Sequence, residues 1–264
     1  MRTRPAAVAG AFYPASPVQL QAQVDKLLAK VDSPAPPPRA MIVPHAGYVY
    51  SGSTAAMGYA SLRGAAGTIK HVVIVGPSHF VGISAIAVPS ADLLATPLGD
   101  VRVWTDGVVA AMGCPEVEFS EHVHEREHSL EVQLPFLQRV LPDADVLALA
   151  AGWVAPDVVE AVLDTVVTGP ETFIIISSDL SHYLPYDEAR AIDAGTIRQI
   201  EALDPHVHHD QACGATGLNA MLLLAARRGL KPRVLCSCNS GDTAGDRSRV
   251  VGYTAVAFYD GDRG

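Results

Sequence analysis

Several things are scarce in this chain. Only four of its 264 residues are cysteine, at positions 114, 213, 236 and 238. Four cysteines over this length do not make a disulfide framework, so a reduced, cytoplasmic setting is expected. Positive charge is short as well: 19 Lys and Arg face 28 Asp and Glu, a formal net charge of −9. That balance excludes nucleic acid and an anionic membrane as the expected main partner. Long apolar runs are missing, none reaching the roughly 18–20 residues that a membrane-crossing helix needs. After the basic Met1-Arg-Thr-Arg-Pro5 come Gly10, Pro14 and Pro17 rather than a continuous apolar stretch, so no secretory leader is expected. A G-x-S-x-G nucleophile elbow is absent, which argues against reading the Ser177, Ser178 and Ser181 hydroxyls as a serine hydrolase. Asn239-Ser-Gly-Asp-Thr-Ala-Gly-Asp246 lacks the lysine of a phosphate-binding loop.

What the chain does have is apolar residues, 49% of the total, in short runs that alternate with helical patterns. Strands are expected at 41–43, 71–76, 145–150, 173–177 and 233–237, and 250–258 is expected to close the sheet. Helices are expected from Ser16-Pro17 onward, then over 51–66, 106–113, 156–168, 186–202 and 212–228. Residues 129–141 show helical spacing, but Pro135 predicts a kink or a later start. Segments 84–88 and 100–104 read as a strand pair turning through Thr96-Pro-Leu-Gly99. Pro34-Ala-Pro-Pro-Pro38 reads as a stiff connector. Strand alternating with helix means α/β: a single domain over 1–264 with a mainly parallel central sheet flanked by helices.

One local arrangement is written four times. Met41-Ile-Val-Pro-His45-Ala-Gly47 is an apolar strand, a break and a histidine, and His71-Val-Val-Ile-Val-Gly-Pro-Ser-His79 repeats it. Phe173-Ile-Ile-Ile-Ser-Ser-Asp179-Leu-Ser-His182 ends in an acid and a histidine, and Arg233-Val-Leu-Cys-Ser-Cys-Asn-Ser-Gly-Asp242 in a Gly-Asp turn. In a parallel sheet such loops share one edge, where α/β proteins build their sites. A single histidine of this kind is as readily a loop residue satisfied by backbone hydrogen bonds. Three groups placed alike point instead to a shared ion. His45, His79 and Asp242 have the composition of a two-histidine, one-carboxylate Fe(II) site, and zinc or copper is compatible with the same ligands. Asp179 and His182, three apart, would share a side of a first helical turn, with His182 shuttling protons and Asp179 holding its tautomer.

Other patterns carry less. His124-Glu-Arg-Glu-His128 fits H-E-x-x-H, but Ser120–Glu127 is almost entirely polar and lacks the apolar back face of a zinc-protease helix. His128 and Glu131 are nevertheless candidates to line the site. His206-Val-His-His209 reads as a solvated loop, and Cys236 and Cys238, alternating on a strand, as a packed pair.

Pro44-His45-Ala-Gly47-Tyr48, Gly76-Pro-Ser-His79, Glu127-His-Ser-Leu-Glu-Val-Gln-Leu-Pro-Phe136, Ser177-Ser-Asp-Leu-Ser-His182-Tyr, Ala212-Cys-Gly214 and Asn239-Ser-Gly-Asp242 together resemble the Memo family. Its bacterial and archaeal members are called AmmeMemoRadiSam system protein B, and the likeness runs from Ala9-Gly-Ala-Phe-Tyr13 to the last strand. The resemblance implies the fold of class III, LigB-type extradiol dioxygenases. On it, His45, His79 and Asp242 fall on the metal ligands and His182 on the acid/base histidine, whereas animal members carry a cysteine in place of Asp242. It also implies either non-haem-iron oxidoreductase chemistry on an unidentified small molecule, or an adaptor that holds a peptide or partner protein in the same pocket. Phe12, Tyr13 and Tyr48 would then be pocket aromatics, and a radical-SAM protein and an AMMECR-type protein the expected partners.

Overall fold

The computed structural model describes residues 1–31 and 37–261, so most of the proline-rich connector lies outside the described residues. In chain order the first part holds β1 (Thr3–Arg4), α1 (Pro17–Leu28), β2 (Ala40–Val43), α2 (Tyr48–Ala60), β3 (His71–Pro77), β4 (Ile86–Val88), β5 (Leu93–Thr96) and β6 (Gly99–Arg102). There follow α3 (Thr105–Ala111), β7 (Val117–Phe119), α4 (Glu121–Arg126), α5 (His128–Glu131), α6 (Leu134–Val140), β8 (Asp145–Ala151) and α7 (Pro156–Val166). The last part comprises β9 (Thr172–Ser177), β10 (His182–Leu184), α8 (Tyr186–Glu201), α9 (Ala215–Arg228), β11 (Leu230–Asn239) and β12 (Val250–Asp260).

The main sheet is mixed, in the order β10-β12-β2-β9-β3-β8-β4-β7, with β11 also paired to β12. Its centre, β2-β9-β3-β8, is parallel, which sends the carboxyl ends of β2, β9 and β3 to one edge. Antiparallel neighbours flank that centre: β12 beside β2, and β4 beside β8. The four central strands are continuous apolar runs because both faces of the sheet are covered. Alternation divides them between two cores. Met41, Val43, Val72 and Ile74 meet Leu20 of α1, Tyr59 of α2 and Phe136 of α6 on one face. Ile42, Val73 and Val75 meet Val159 and Leu163 of α7 and Leu218 and Leu222 of α9 on the other. This is the α/β fold expected, and it agrees with a Memo-like, LigB-like architecture.

Several local expectations are corrected. Segment 100–104 does not pair with 84–88. The Thr96–Gly99 turn instead joins β5 to β6, which form a separate small sheet with β1, while β4 pairs with β7 and β8. Leu93–Thr96 was the missing strand, too short and too interrupted by turn residues to show in the pattern. Helix α2 begins at Tyr48 with Gly47 as its N-cap, so Ser51 lies inside it and donates to the Ala46 carbonyl. The single helix expected over 129–141 is two, and Pro135 sits in the first turn of α6, where its missing N–H costs nothing. Strand β12 lies inside the sheet instead of closing it. His182 opens β10, so it shares no helical turn with Asp179. Among the described residues no helix is long and apolar enough to cross a membrane.

Candidate metal centre

His45 leaves β2 one residue after Pro44 and is buried. Its backbone N–H donates to Asp179 Oδ1 at 2.8 Å, which fixes the turn from β2 against the loop after β9. Its Nδ1 lies 3.0 Å from Ser177 Oγ. Ser177 spends its one hydroxyl proton on the Ser129 carbonyl and accepts from Gln133 Nε2 at 2.8 Å. The remaining lone pair can only accept, so His45 carries its proton on Nδ1 and leaves Nε2 bare. Gln133 is held in turn by the Tyr59 hydroxyl and by the Pro44 carbonyl. On its bare side, Nε2 has the Cys213 thiol at 3.3 Å.

His79 is set in the same manner by a different partner. Both of its donors, backbone N–H and Nδ1–H, go to the carboxylate of Glu127, at 2.6 and 2.9 Å. Glu127 is buried and also caps α5 through Ser129 N at 2.8 Å. Burial works to raise the Glu127 pKa, but the hydrogen bonds it accepts from His79 and from the Ser129 N–H hold it down to about 2. An ionised carboxylate on Nδ1 leaves Nε2 of His79 as the free donor atom.

The third member is His128, at the start of α5. Ligand atoms of His45, His79 and His128 all lie within 4.8 Å of one another. The His79 and His128 rings stack at 4.6 Å, and Phe12 closes on His128 from outside, also at 4.6 Å. His128 Nδ1 makes no hydrogen bond, and the Glu127 carboxylate faces it at 3.6 Å. Burial, reinforced by neighbouring imidazole charge, lowers His45 to about 3 and His128 to about 4. Both are therefore neutral at pH 7, the form that binds metals.

Asp242, expected as the carboxylate ligand, is placed elsewhere. It ends a short 3-10 turn, Ser240–Asp242, where Oδ2 accepts from its own Asn239 N–H and Oδ1 from the Tyr186 hydroxyl at 2.6 Å. Neither oxygen joins the histidine cluster, and Asp242 does not line the cavity. His128 stands where a third donor was sought. The H-E-x-x-H reading fails on geometry too. A break at Glu127 separates α4 from α5, and His124 Nε2 is bound to the Ala87 carbonyl.

The cluster opens into a cavity of about 690 Å³ lined by Phe12, His45, His79, Phe80, His128, Asp179 and His182, among others. No hydrogen bond among the described residues joins Asp179 to His182. Asp179 instead receives the His45 N–H, and burial raises its pKa against that bond and the His182 charge. The His182 loop is pinned from behind: Ser181 N donates to buried Asp193 at 3.0 Å, and Leu180 N donates to the Gly252 carbonyl. A Cβ on Gly252 would come within 2.0 Å of Asp193, so only glycine permits this approach.

Three expected lining residues are not at the cavity. Tyr13 is buried and donates to Glu131, which lies under the N-terminal segment, paired with Arg4 and accepting the Ala7 and Val8 N–H groups. Tyr48 donates to the Val132 carbonyl in the core at 2.6 Å. Their part is indirect, since the segment Glu131 holds is the one that carries Phe12 to His128. Gln133, Ser177 and Glu127 set the imidazoles, a part that the sequence pattern does not assign to them. The apolar setting of Glu127 and Gln133 inside Glu127–Phe136 was the available signal, because buried polar residues need partners.

Fold and site together describe an α/β protein with a histidine-lined pocket at the carboxyl edge of its parallel strands. The chain belongs to the Memo family: the model of that family, described as Memo-like protein, matches residues 4–257. It is 37% identical over 284 residues to a MEMO1 family protein of Sulfolobus acidocaldarius, covering 96% of this chain and 98% of that one. MEMO1 family proteins of Aquifex aeolicus and Archaeoglobus fulgidus are each 36% identical, over 98% and 95% of this chain and 100% and 97% of theirs.

Proposed function

We propose that this Memo-family protein holds one transition-metal ion on His45, His79 and His128 and uses it for redox or dioxygenase-like chemistry on a small molecule. The observation that carries the reading is the convergence of three imidazole donors within 4.8 Å at the floor of the cavity. Iron was favoured on the expectation of a carboxylate ligand. With three imidazoles instead, iron, zinc and copper all suit the donor set. Such an ion would polarise a bound oxygen atom or exchange electrons. Ser177 and Glu127 keep the two imidazole lone pairs aimed inward, Phe12 shields the cluster from water, and His182 carries protons at the cavity wall. Four unpaired thiols favour a reduced, cytoplasmic setting.

A binding module is the second reading, favoured by the exposed rings of Phe80, Tyr50 and Tyr183 around the cavity. The pocket would then present a metal or small ligand to a partner such as the radical-SAM protein that the family resemblance implies. Elemental analysis of anaerobically purified protein tests the shared premise. Metal at one equivalent per chain is expected, lost in His79→Ala and His128→Ala and kept in Asp242→Ala. A parent protein that contains no metal and takes up none of the three ions on reconstitution refutes it. Oxygen uptake over a catechol panel then separates the two readings, turnover favouring the enzyme.

A further inference from the structure

A buried cation sits behind the histidines. Helices α4 and α5 are parted by Glu127, whose backbone is extended at φ −73° and ψ 120°. In an unbroken helix the His124 carbonyl would accept the N–H four residues on. Arg4 of β1 supplies a donor there instead, its Nε meeting the His124 carbonyl at 2.7 Å. Its Nη2 donates to the Glu127 carbonyl at 2.8 Å, and its Nη1 to Glu131 and to the Pro5 carbonyl. One guanidinium, presenting five N–H groups in a rigid fork, therefore spans the whole break: α4, the residue at the break and the end of α5.

The break decides how two imidazoles are held. Because Glu127 leaves the helical path, its carboxylate can accept from the His79 backbone N–H and Nδ1, and the same carboxylate lies 3.6 Å from His128 Nδ1. Were α4 and α5 one helix, backbone N–H groups would claim the carbonyls of residues 124 and 127 and displace Arg4 from both. Arg4 can be buried here because Glu131 balances its charge. Glu131 also accepts the Ala7 and Val8 N–H groups and the Tyr13 hydroxyl, so the N-terminal segment and the break hold each other in place. A lysine would keep the charge, but its single terminal nitrogen cannot reach a carboxylate and two carbonyls with the geometry of the fork.

We propose that Arg4 is a positioning residue of the candidate metal centre: it holds the α4–α5 break open from behind, and through the Glu127 carboxylate it fixes the tautomer of His79 and the approach of His128. Arg4 does not line the cavity, so its effect passes through Glu127 alone. The inference rests on the metal reading for what the held imidazoles do, but the state of the His79 ring is readable without an ion.

The test compares the parent with Arg4→Lys, Arg4→Met and Leu163→Ala. The last empties a core site on the other face of the sheet, so it destabilises the fold without touching the break. Nitrogen NMR of metal-free protein reads which ring nitrogen of His79 carries the proton. The parent and Leu163→Ala should show Nδ1–H alone, and both Arg4 variants a mixture with Nε2–H. Zinc titrated against a chromophoric chelator should bind both Arg4 variants about 10–100-fold more weakly, the usual effect of losing a group behind a ligand, and Leu163→Ala as it binds the parent. Arg4→Lys keeps a positive charge beside Glu131, so a loss there reports the missing fork and not the missing charge. The parental tautomer and zinc affinity in both Arg4 variants overturn the proposal. Equal changes in Leu163→Ala overturn it too, since lost stability would then account for them. A parent that takes up no zinc, copper or iron defeats the metal reading instead, and the His79 tautomer then decides for or against Arg4 by itself.

Discussion

Glu127→Gln is the sharpest single perturbation of the candidate centre. The glutamine keeps the shape but replaces one carboxylate oxygen by an NH2 group. Three donors now face that carboxylate: His79 N at 2.6 Å, His79 Nδ1 at 2.9 Å and Ser129 N at 2.8 Å. One amide oxygen cannot serve the donors on both sides. If the NH2 faces Nδ1, that nitrogen must accept, the proton moves to Nε2, and the lone pair aimed at the cluster is gone. If the NH2 faces the backbone, two N–H groups oppose each other in a buried site. Loss of a hydrogen bond to a charged acceptor costs about 1.5–3 kcal/mol, so the metal-free protein should lose about that much. Loss of an orienting partner typically weakens metal binding about 10–100-fold. Competition against a chromophoric chelator measures the second quantity and urea unfolding of metal-free protein the first. A variant that unfolds at the parental urea concentration and binds metal as the parent does would refute the orientation argument.

Three further outcomes are expected. In metal-free protein His45 is lowered to about 3 and His124 and His128 to about 4, burial being the largest cause in each. The unfolded chain takes protons below about pH 6.5 that the folded chain refuses, so stability is complete above that pH and falls as acid is added. Three such groups give a slope of up to about 4 kcal/mol per pH unit, opposed toward the acid end by buried Asp179 and Asp193, whose raised pKa values act in the opposite sense. A urea midpoint that stays flat from about pH 7 to pH 5 refutes neutral buried imidazoles. Glu131→Gln should cost about 3–5 kcal/mol in urea unfolding, because it leaves Arg4 buried without its charge partner. A loss under about 1 kcal/mol would show that the pair is not what holds the N-terminal segment. Gly76→Ala puts a Cβ 2.5 Å from Ser129 Oγ and 3.0 Å from Leu130 Cδ2, which pushes α5 and His128 away from β3. The same titrations should show weaker metal binding and a destabilisation of about 1–3 kcal/mol, and unchanged binding would separate α5 from the site.

The central strands were legible because they are buried on both faces, and continuous apolar runs bounded by Pro44 and by Gly76-Pro77 leave little choice of state. The histidines that follow those runs were legible for the same reason, since a strand end fixes where the next two or three residues can go. Legibility ended where a short element turned on a contact distant in sequence. Leu93–Thr96 is a strand because it pairs with β1 and β6, not because of its own alternation. His128 lay in view inside a motif, but H-E-x-x-H presumes one unbroken helix. Glu127 interrupts it by turning its carboxylate onto His79, 48 positions upstream.

Asp242 shows most plainly what spacing omits. A strand followed by a carboxylate looks the same in sequence whether that carboxylate faces an ion or its own backbone. The difference lies in what else the side chain can bind. Its oxygens have an N–H three residues back and a phenol on α8, and together these draw it out of the cavity. His45 and His79 face the opposite situation. Ser177 and Glu127 each claim the Nδ1 of one ring and so deliver the other nitrogen, bare, to the same place. A ligand set is therefore specified as much by what holds the far side of each donor as by the donors themselves. Those holders sit 132 and 48 positions away in the chain, beyond the reach of any local pattern.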